Sequence, residues 1–267
     1  MGRLGFGVDI GGSGIKGAVV DLDTGALATE RFKVLTPQPS TPPAVASAVA
    51  EVVRNFAWQA AVGCTFPAVV RAGEARSAAN VDQSWIGTNI EKVVGAATGS
   101  AVIAVNDADA AGVAEATWGA AKGQKGLVVV VTLGTGIGTA LIYDGVLVPN
   151  SELGHLEIEG VDYETKASAA ARERDGLSWE KWAKRLQRYF SALEFYLSPE
   201  LFVVGGGVSR RADKFLPLLK LQAAIVPASF QNEAGIIGAA YLAARPELDR
   251  ESAGVEITGG TFPLVTP

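Results

Sequence analysis

Two short apolar stretches, Leu4–Ile10 and Ile15–Asp21, open the chain, with Gly11-Gly12-Ser13-Gly14 between them. The β-branched residues Ile15, Val19 and Val20 after the glycines favour a strand over a helix, so the pattern predicts strand, glycine turn, strand. A further turn is expected at Asp21-Leu22-Asp23-Thr24-Gly25. Pro37, Pro39, Pro42 and Pro43 mark a loop, after which the spacing turns helical over 43–58. Buried strands are predicted at 60–66 and 101–105, with a loop at 80–89 and a short helix at 90–98 between them. Asn106-Asp107 closes the second of these strands, and an alanine-rich helix is expected over 108–118.

The opening pattern then returns as a strand over 127–132, a glycine turn over 133–138 and a strand over 139–143. Laying Gly11 on Gly134 also lays Asp21 on Asp144, apolar on apolar at most positions between. A repeated supersecondary unit of this kind predicts two like-folded lobes. The clearest helix is 178–197: Trp182, Leu186, Tyr189, Leu193 and Leu197 share one face, and Glu180, Lys181, Lys184, Arg185 and Arg188 the other. Ser198-Pro199 ends it. A strand over 201–204 runs into Gly205-Gly206-Gly207, followed by a helix from Ser209 and a last helix from Ala234.

Composition narrows the reading. The 267 residues carry 23 basic and 28 acidic side chains, a net charge of −5, which argues against a general nucleic-acid or membrane-surface binder. One cysteine, Cys64, excludes an internal disulfide framework, and one histidine, His155, leaves no zinc site of the usual Cys/His kind. The uncharged run 126–143 approaches the ~18 residues of a membrane helix, but Gly134, Gly136 and Gly138 make it a turn between strands. With no export signal in the opening residues, a cytoplasmic protein is expected.

The 32 glycines cluster, and the clusters carry the candidate chemistry. Any one of Gly11-Gly12-Ser13-Gly14, Gly134-Thr135-Gly136 and Gly205-Gly206-Gly207 could be a plain turn. Three of them, each directly after an apolar strand, favour phosphate oxygens resting on successive backbone N–H groups, with Lys16 placed to meet the charge. A strand, not a helix, follows the first cluster, which disfavours a Walker loop or a dinucleotide fingerprint. Asn106-Asp107 taken alone reads as a helix N-cap; in a protein that holds phosphates, a carboxylate at a strand's C-terminal end is also where a general base belongs. Glu152 and His155 offer acceptors and a donor suited to sugar hydroxyls, though a lone histidine is more often structural. The stripe Lys181, Lys184, Arg185 and Arg188 reads as a solvated helix face.

Five ordered motifs together resemble the ROK family of the sugar kinase, actin and Hsp70 superfamily. Val8-Asp9-Ile10-Gly11-Gly12-Ser13 resembles its first phosphate motif and Leu133-Gly134-Thr135-Gly136-Ile137-Gly138 its second. Val105-Asn106-Asp107-Ala108 is similar to its sugar-and-base motif, Glu152-Leu153-Gly154-His155 to its Glu-x-Gly-His sugar contact, and 203–208 to its adenosine-side glycines. Within the family, 146–155, 167–173, Leu177-Ser178-Trp179-Glu180 and 205–214 are most similar to polyphosphate-using glucokinases.

The resemblance implies an α/β, actin-like and hexokinase-like ATPase fold of two ribonuclease H-like lobes around a central active-site cleft. The small lobe would be 1–107 joined by the final helix, about 234–249; the large lobe 108–233; and 250–267 a tail. It implies phosphorylation of the 6-hydroxyl of glucose, and of mannose, by inorganic polyphosphate or ATP with Mg²⁺, in a monomer or homodimer with no nucleic-acid or membrane partner. Asp107 would be the base, and Asn80, Asn106, Asp107, Glu152, His155 and Glu164 would hold the sugar. Gly11, Gly12, Ser13, Gly14, Lys16, Thr132, Gly134, Thr135, Gly136, Gly205, Gly206 and Gly207 would face the donor, with Asp9 toward the metal. Lys16, Arg210, Arg211 and Lys214 would guide a polyphosphate chain. The family's cysteine-rich zinc motif is replaced by Val161-Asp162-Tyr163-Glu164-Thr165, so no zinc is expected and the loop would be held by packing alone. A sugar-sensing regulator of the same family would need a helix-turn-helix ahead of Leu4, for which this sequence leaves no room.

Overall fold

The computed structural model describes residues 2–78 and 81–245. Strands β1 (Leu4–Ile10) and β2 (Ile15–Asp21) pair antiparallel end to end, Leu4 opposite Asp21 and Ile10 opposite Ile15. The glycines between them are therefore a tight turn at the sheet's end. Strand β3 (Phe32–Val34) adds antiparallel to β2, and β4 (Val62–Phe66) parallel to β1. After a small hairpin of β5 (Val70–Arg71) and β6 (Glu74–Ala75), β7 (Val102–Asn106) joins β4 in parallel. The sheet order is β3-β2-β1-β4-β7. Helices α1 (Pro42–Asn55) and α2 (Ile90–Thr98) supply Val45, Val49, Val52, Val53 and Val94 to a core with Phe6, Val8, Cys64 and Phe66.

Helix α3 (Asp107–Thr117) leads to a second sheet that repeats the first strand for strand. Strands β8 (Leu127–Leu133), β9 (Ile137–Tyr143) and β10 (Val146–Val148) form the antiparallel part. A hairpin of β11 (Glu157–Ile158) and β12 (Val161–Asp162) follows, then α4 (Glu164–Ala167), α5 (Ala169–Arg174) and α6 (Trp179–Leu197). Strands β13 (Leu201–Gly205) and β14 (Ala224–Pro227) complete the order β10-β9-β8-β13-β14 in parallel. The apolar face predicted for α6 is the buried one: Trp182, Leu186, Tyr189 and Leu193 pack with Val129, Val131, Phe202 and Val204. On its other face Arg185 and Arg188 pair with Asp175 and Glu159, so half of the basic stripe ties the helix to the preceding segment.

The helices that follow the two sheets cross over. Helix α3 lies mainly on β8 and β9 of the second sheet, whereas α7 (Ala234–Ala243) lies on β1 and β4 of the first, and the two pack on each other. Helix α7 is apolar on all sides because it is enclosed on all sides. Glycines permit the approach: a Cβ at Gly7 would overlap Ile236 O, one at Gly63 Ala239 O, and one at Gly238 Ala110 O.

Several boundaries differ from the sequence expectation. The strand expected over 60–66 is Val62–Phe66, and the helix expected over 43–58 stops at Asn55. The helix expected from Ser209 is a 3₁₀ segment, Gly207–Lys214, kinked at Arg211. Its first turn is tightened because Gly206 has φ 81° and its carbonyl accepts from Ser209 Oγ at 2.7 Å. Helix α7 ends at Ala243; the expected continuation over 246–249 and the 250–267 tail lie outside the described residues. Among the described residues, no helix is long and apolar enough to cross a membrane.

Candidate active site

The strand-end acids lie near one another, and the second and third glycine turns meet beside them. Asp9, one residue from the end of β1, accepts a hydrogen bond from Thr65 Oγ1 of β4 at 2.9 Å and lies 3.4 Å from Lys16 Nζ of β2. Thr65 is fully buried, and its oxygen also accepts from Ile10 N–H at 3.3 Å, so the side chain of Asp9 is aimed by a neighbouring strand. Gly235, at the start of α7, lies against the same carboxylate.

Asn106 ends β7 and caps α3. Its Oδ1 accepts from the N–H groups of Ala108 (2.9 Å) and Asp109 (3.2 Å), and its Nδ2 donates to Ala68 O (3.1 Å). Its side chain is buried and engaged in capping, which leaves one amide hydrogen to meet a ligand. The cap holds Asp107 at the first position of the helix, where it keeps access to solvent while protein atoms crowd around its carboxyl group. Loss of hydration pushes its pKa up to about 6, the charges of Asp9 and Glu152 add to the rise, and the Ala108 N–H opposes it. Two residues on, Asp109 is buried, and burial pushes its pKa up to about 7 against the opposing hydrogen bond from Asn150 N–H.

Glu152 is raised by desolvation first, lowered by His155 and raised again by Glu164. Glu152, His155 and Glu164 thus lie within electrostatic reach of one another, and Glu152 within reach of Asp107. The 3₁₀ turn Leu153–His155 is anchored from below, where the buried Tyr189 hydroxyl donates to Leu153 O at 3.0 Å. Glu164 Oε2 accepts from Ile137 N–H at 2.7 Å and lies against Gly136, which joins this group to the second glycine turn. That turn is closed by Gly134 N–H to Gly136 O at 3.0 Å, and the third meets it where Gly206 packs on the Leu133 backbone. Thr132, opposite Gly138 on one side and Gly205 on the other, sits between the two. The first turn is closed by Gly11 N–H to Gly14 O at 3.2 Å, with Gly12 and Ser13 exposed.

The structure brings together Asp9, Lys16, Asp107, Glu152, His155, Glu164 and the second and third glycine turns. Asn80 lies outside the described residues. Arg210, Arg211 and Lys214 are exposed on the 3₁₀ segment after the third turn; Arg210 bonds Gln231 Oε1 at 3.1 Å and Lys214 pairs with Asp213 at 3.3 Å. One expectation is corrected. The 161–165 loop is not held by packing alone, because Asp162 accepts from His155 Nδ1 (2.9 Å) and from Glu164 N–H (3.0 Å). Sequence reasoning missed Thr65, Asp109, Asn150 and Asp162 as supports of the site. Asn150, within 146–155, and Asp162, seven positions beyond His155 and two before Glu164, stood inside segments already singled out, whereas Thr65 and Asp109 did not.

The chain is similar to known proteins over most of its length. A model described as the ROK family matches residues 5–168. A polyphosphate glucokinase of Mycobacterium tuberculosis is 53% identical over 239 residues, 89% of this chain and 90% of that protein. The solved inorganic polyphosphate/ATP-glucomannokinase of Arthrobacter sp. strain KM is 58% identical, with a TM-score of 0.87 over 91% of this chain and 98% of that one. A ROK family glucokinase from Streptomyces griseus, solved with glucose and AMPPNP, is 25% identical, with a TM-score of 0.77 over 91% of this chain and 100% of that one.

Proposed function

The chain belongs to the ROK family, and from that membership we propose that it phosphorylates the 6-hydroxyl of glucose, and of mannose, using inorganic polyphosphate or ATP. Its two like-built sheets are those of the actin-like ATPase fold, with the reaction in the cleft between a small lobe (1–107 and the final helix) and a large one (108–233). The packing of α7 on β1 and β4 supports assigning the final helix to the small lobe.

The observation that carries the reading is Asp107. Its carboxylate stands at the start of α3, between Asp9 at the first glycine turn and Glu152 on the sugar side, with its pKa pushed up to about 6. A base is most effective when its pKa lies near the working pH, so this carboxylate is suited to take the 6-hydroxyl proton as that oxygen attacks the terminal phosphoryl group. Phosphoryl transfer asks chiefly for alignment and charge neutralisation. Backbone N–H groups of the glycine turns at Gly11–Gly14, Gly134–Gly136 and Gly205–Gly207 cradle the phosphates, and Lys16 adds charge. Glu152, His155 and Glu164 orient the sugar, with Asn106 contributing through its free amide hydrogen.

Among the described residues, no group of three or more His, Cys, Asp or Glu side chains could hold a metal ion by itself. Mg²⁺ is commonly bound by one or two carboxylates together with substrate phosphates, and Asp9 beside the first glycine turn fits that donor set. Bound there it would neutralise charge on the transferring phosphate. The test is a coupled assay of sugar 6-phosphate formation from glucose or mannose with ATP or polyphosphate. Glucose 6-phosphate formed with both donors is the expected result; activity with ATP alone reduces the protein to an ATP-dependent sugar kinase, and none with either donor refutes the assignment.

A further inference from the structure

His155 and Glu164 share one anchor. Strand β12 returns antiparallel to β11 through Glu159 and Gly160, both at positive φ, so Asp162 stands opposite Glu157 and faces back to the 3₁₀ turn that carries His155. The two oxygens of its carboxylate then divide. Oδ2 lies 2.9 Å from His155 Nδ1, and Oδ1 accepts from Glu164 N–H at 3.0 Å. Its backbone carbonyl also accepts from Thr165 Oγ1 at 2.6 Å, which holds the start of α4. His155 Nε2 has no hydrogen-bond partner among the described residues.

We propose that Asp162 is a positioning residue that fixes a proton on His155 Nδ1, so that every proton His155 gains or loses is gained or lost at Nε2. The role in sugar binding rests on the function proposed above. A carboxylate has only lone pairs to offer, so the ring nitrogen facing it must carry the hydrogen in either charge state. Nε2 then accepts from a hydroxyl when the ring is neutral and donates to one when it is charged. That versatility is useful beside Glu152 and Glu164, which when ionised can only accept. Asp162, Glu164 and Glu152 all face the ring, and each favours its charged form; the Asp162 hydrogen bond is the largest influence and partial burial opposes it. Asparagine cannot replace Asp162 fully, because both partners are donors and an amide has one acceptor oxygen. Half-exposed in water without Asp162, the ring would be free to turn and to carry its proton on either nitrogen.

His155 is the single histidine of the chain, so its ring nitrogens are the imidazole signals of an ¹⁵N-labelled sample of the whole protein. The expected result at high pH is a neutral ring with hydrogen on Nδ1. Asp162→Ala should abolish that preference and lower the His155 pKa, and Asp162→Asn should lower the pKa as well. In kinetics, both variants should raise glucose KM roughly tenfold, the size expected when a charged hydrogen-bond partner is removed, with kcat and donor KM within about threefold. A neutral wild-type ring with hydrogen on Nε2, or a tautomer and pKa unchanged in both variants, overturns the proposal. The resting-state spectrum decides the role of Asp162 and the sugar assay decides the kinase reading, so failure of one is distinguishable from failure of the other.

Discussion

Asp107 has opposite effects on chemistry and on stability. A base with a pKa near 6 must be ionised to act, so kcat/KM for the sugar should fall about tenfold per pH unit below about 6. Asp107→Asn should lower kcat by ~10²–10⁴ at neutral pH with glucose binding changed only a few-fold, which steady-state kinetics and glucose titration can check. The same shift makes the folded state bind more protons than the unfolded state between pH 3.8 and about 6. Stability is therefore lost as pH rises through that window and stays lost above it. Replacing Asp107 with a neutral residue should raise the unfolding midpoint at pH 8 and raise it less at pH 5. A midpoint gain that is the same at both pH values would refute desolvation and the neighbouring carboxylates as the cause of the shift.

Between elements, two contacts decide how the site is held. Helix α3 reaches the 149–155 loop through Asp109 Oδ2, which accepts from Asn150 N–H at 2.8 Å. The Asn150 amide in turn exchanges two 2.9 Å hydrogen bonds with the backbone of Val70, pairing like a strand with the β5–β6 hairpin. Asn150→Gly keeps the φ of 59° accessible and deletes only the clamp. It should destabilise by ~1–3 kcal/mol in denaturant titrations and speed hydrogen exchange at Val70. The second contact is the crossing of α3 and α7 at Gly238. Gly to Ala within a helix ordinarily stabilises by ~1 kcal/mol, but here the added methyl overlaps the Ala110 carbonyl. Overpacking of ~1–3 kcal/mol or more wins, so Gly238→Ala should lower stability. A rise in the denaturation midpoint would show that the helices can separate without loss.

At the scale of the whole molecule, charge sets the donor problem. A protein of net charge −5 repels a long polyanion unless local cations guide it. Of the four expected guides, Lys16 is drawn toward Asp9, Arg210 toward Gln231 and Lys214 toward Asp213, and Arg211 alone has no side-chain partner among the described residues. ATP can also use its base and ribose, whereas polyphosphate presents phosphates only. Screening shortens from ~10 Å at 0.1 M salt to ~3 Å at 1 M, so KM for polyphosphate should rise more steeply with salt than KM for ATP. The pair Arg210→Ala/Arg211→Ala should impair polyphosphate use more than ATP use, with glucose KM little changed. Equal losses with both donors would remove these residues from the path.

The amino-acid sequence by itself determined the strand, glycine turn, strand repeat and the amphipathic face of α6, because each is written in the spacing of neighbouring residues. It also marked the candidate motifs, since glycine clusters after strands and Asn106-Asp107 are local patterns. Tertiary structure decided the rest. The segment expected to be a helix from Ser209 is 3₁₀, and it follows Gly206, where a Cβ would overlap the Leu133 backbone. The crossover of α3 and α7 followed from which buried faces meet, and both helices are too rich in alanine and glycine for periodicity to show it. Asp162 and Asp109 became part of the site only when a hairpin and a loop folded back onto them. The rise of the Asp107 pKa depends first on its loss of hydration and then on Asp9 and Glu152, which are far from it in sequence and near it in the fold, and both desolvation and electrostatic interaction depend on what surrounds the group in space.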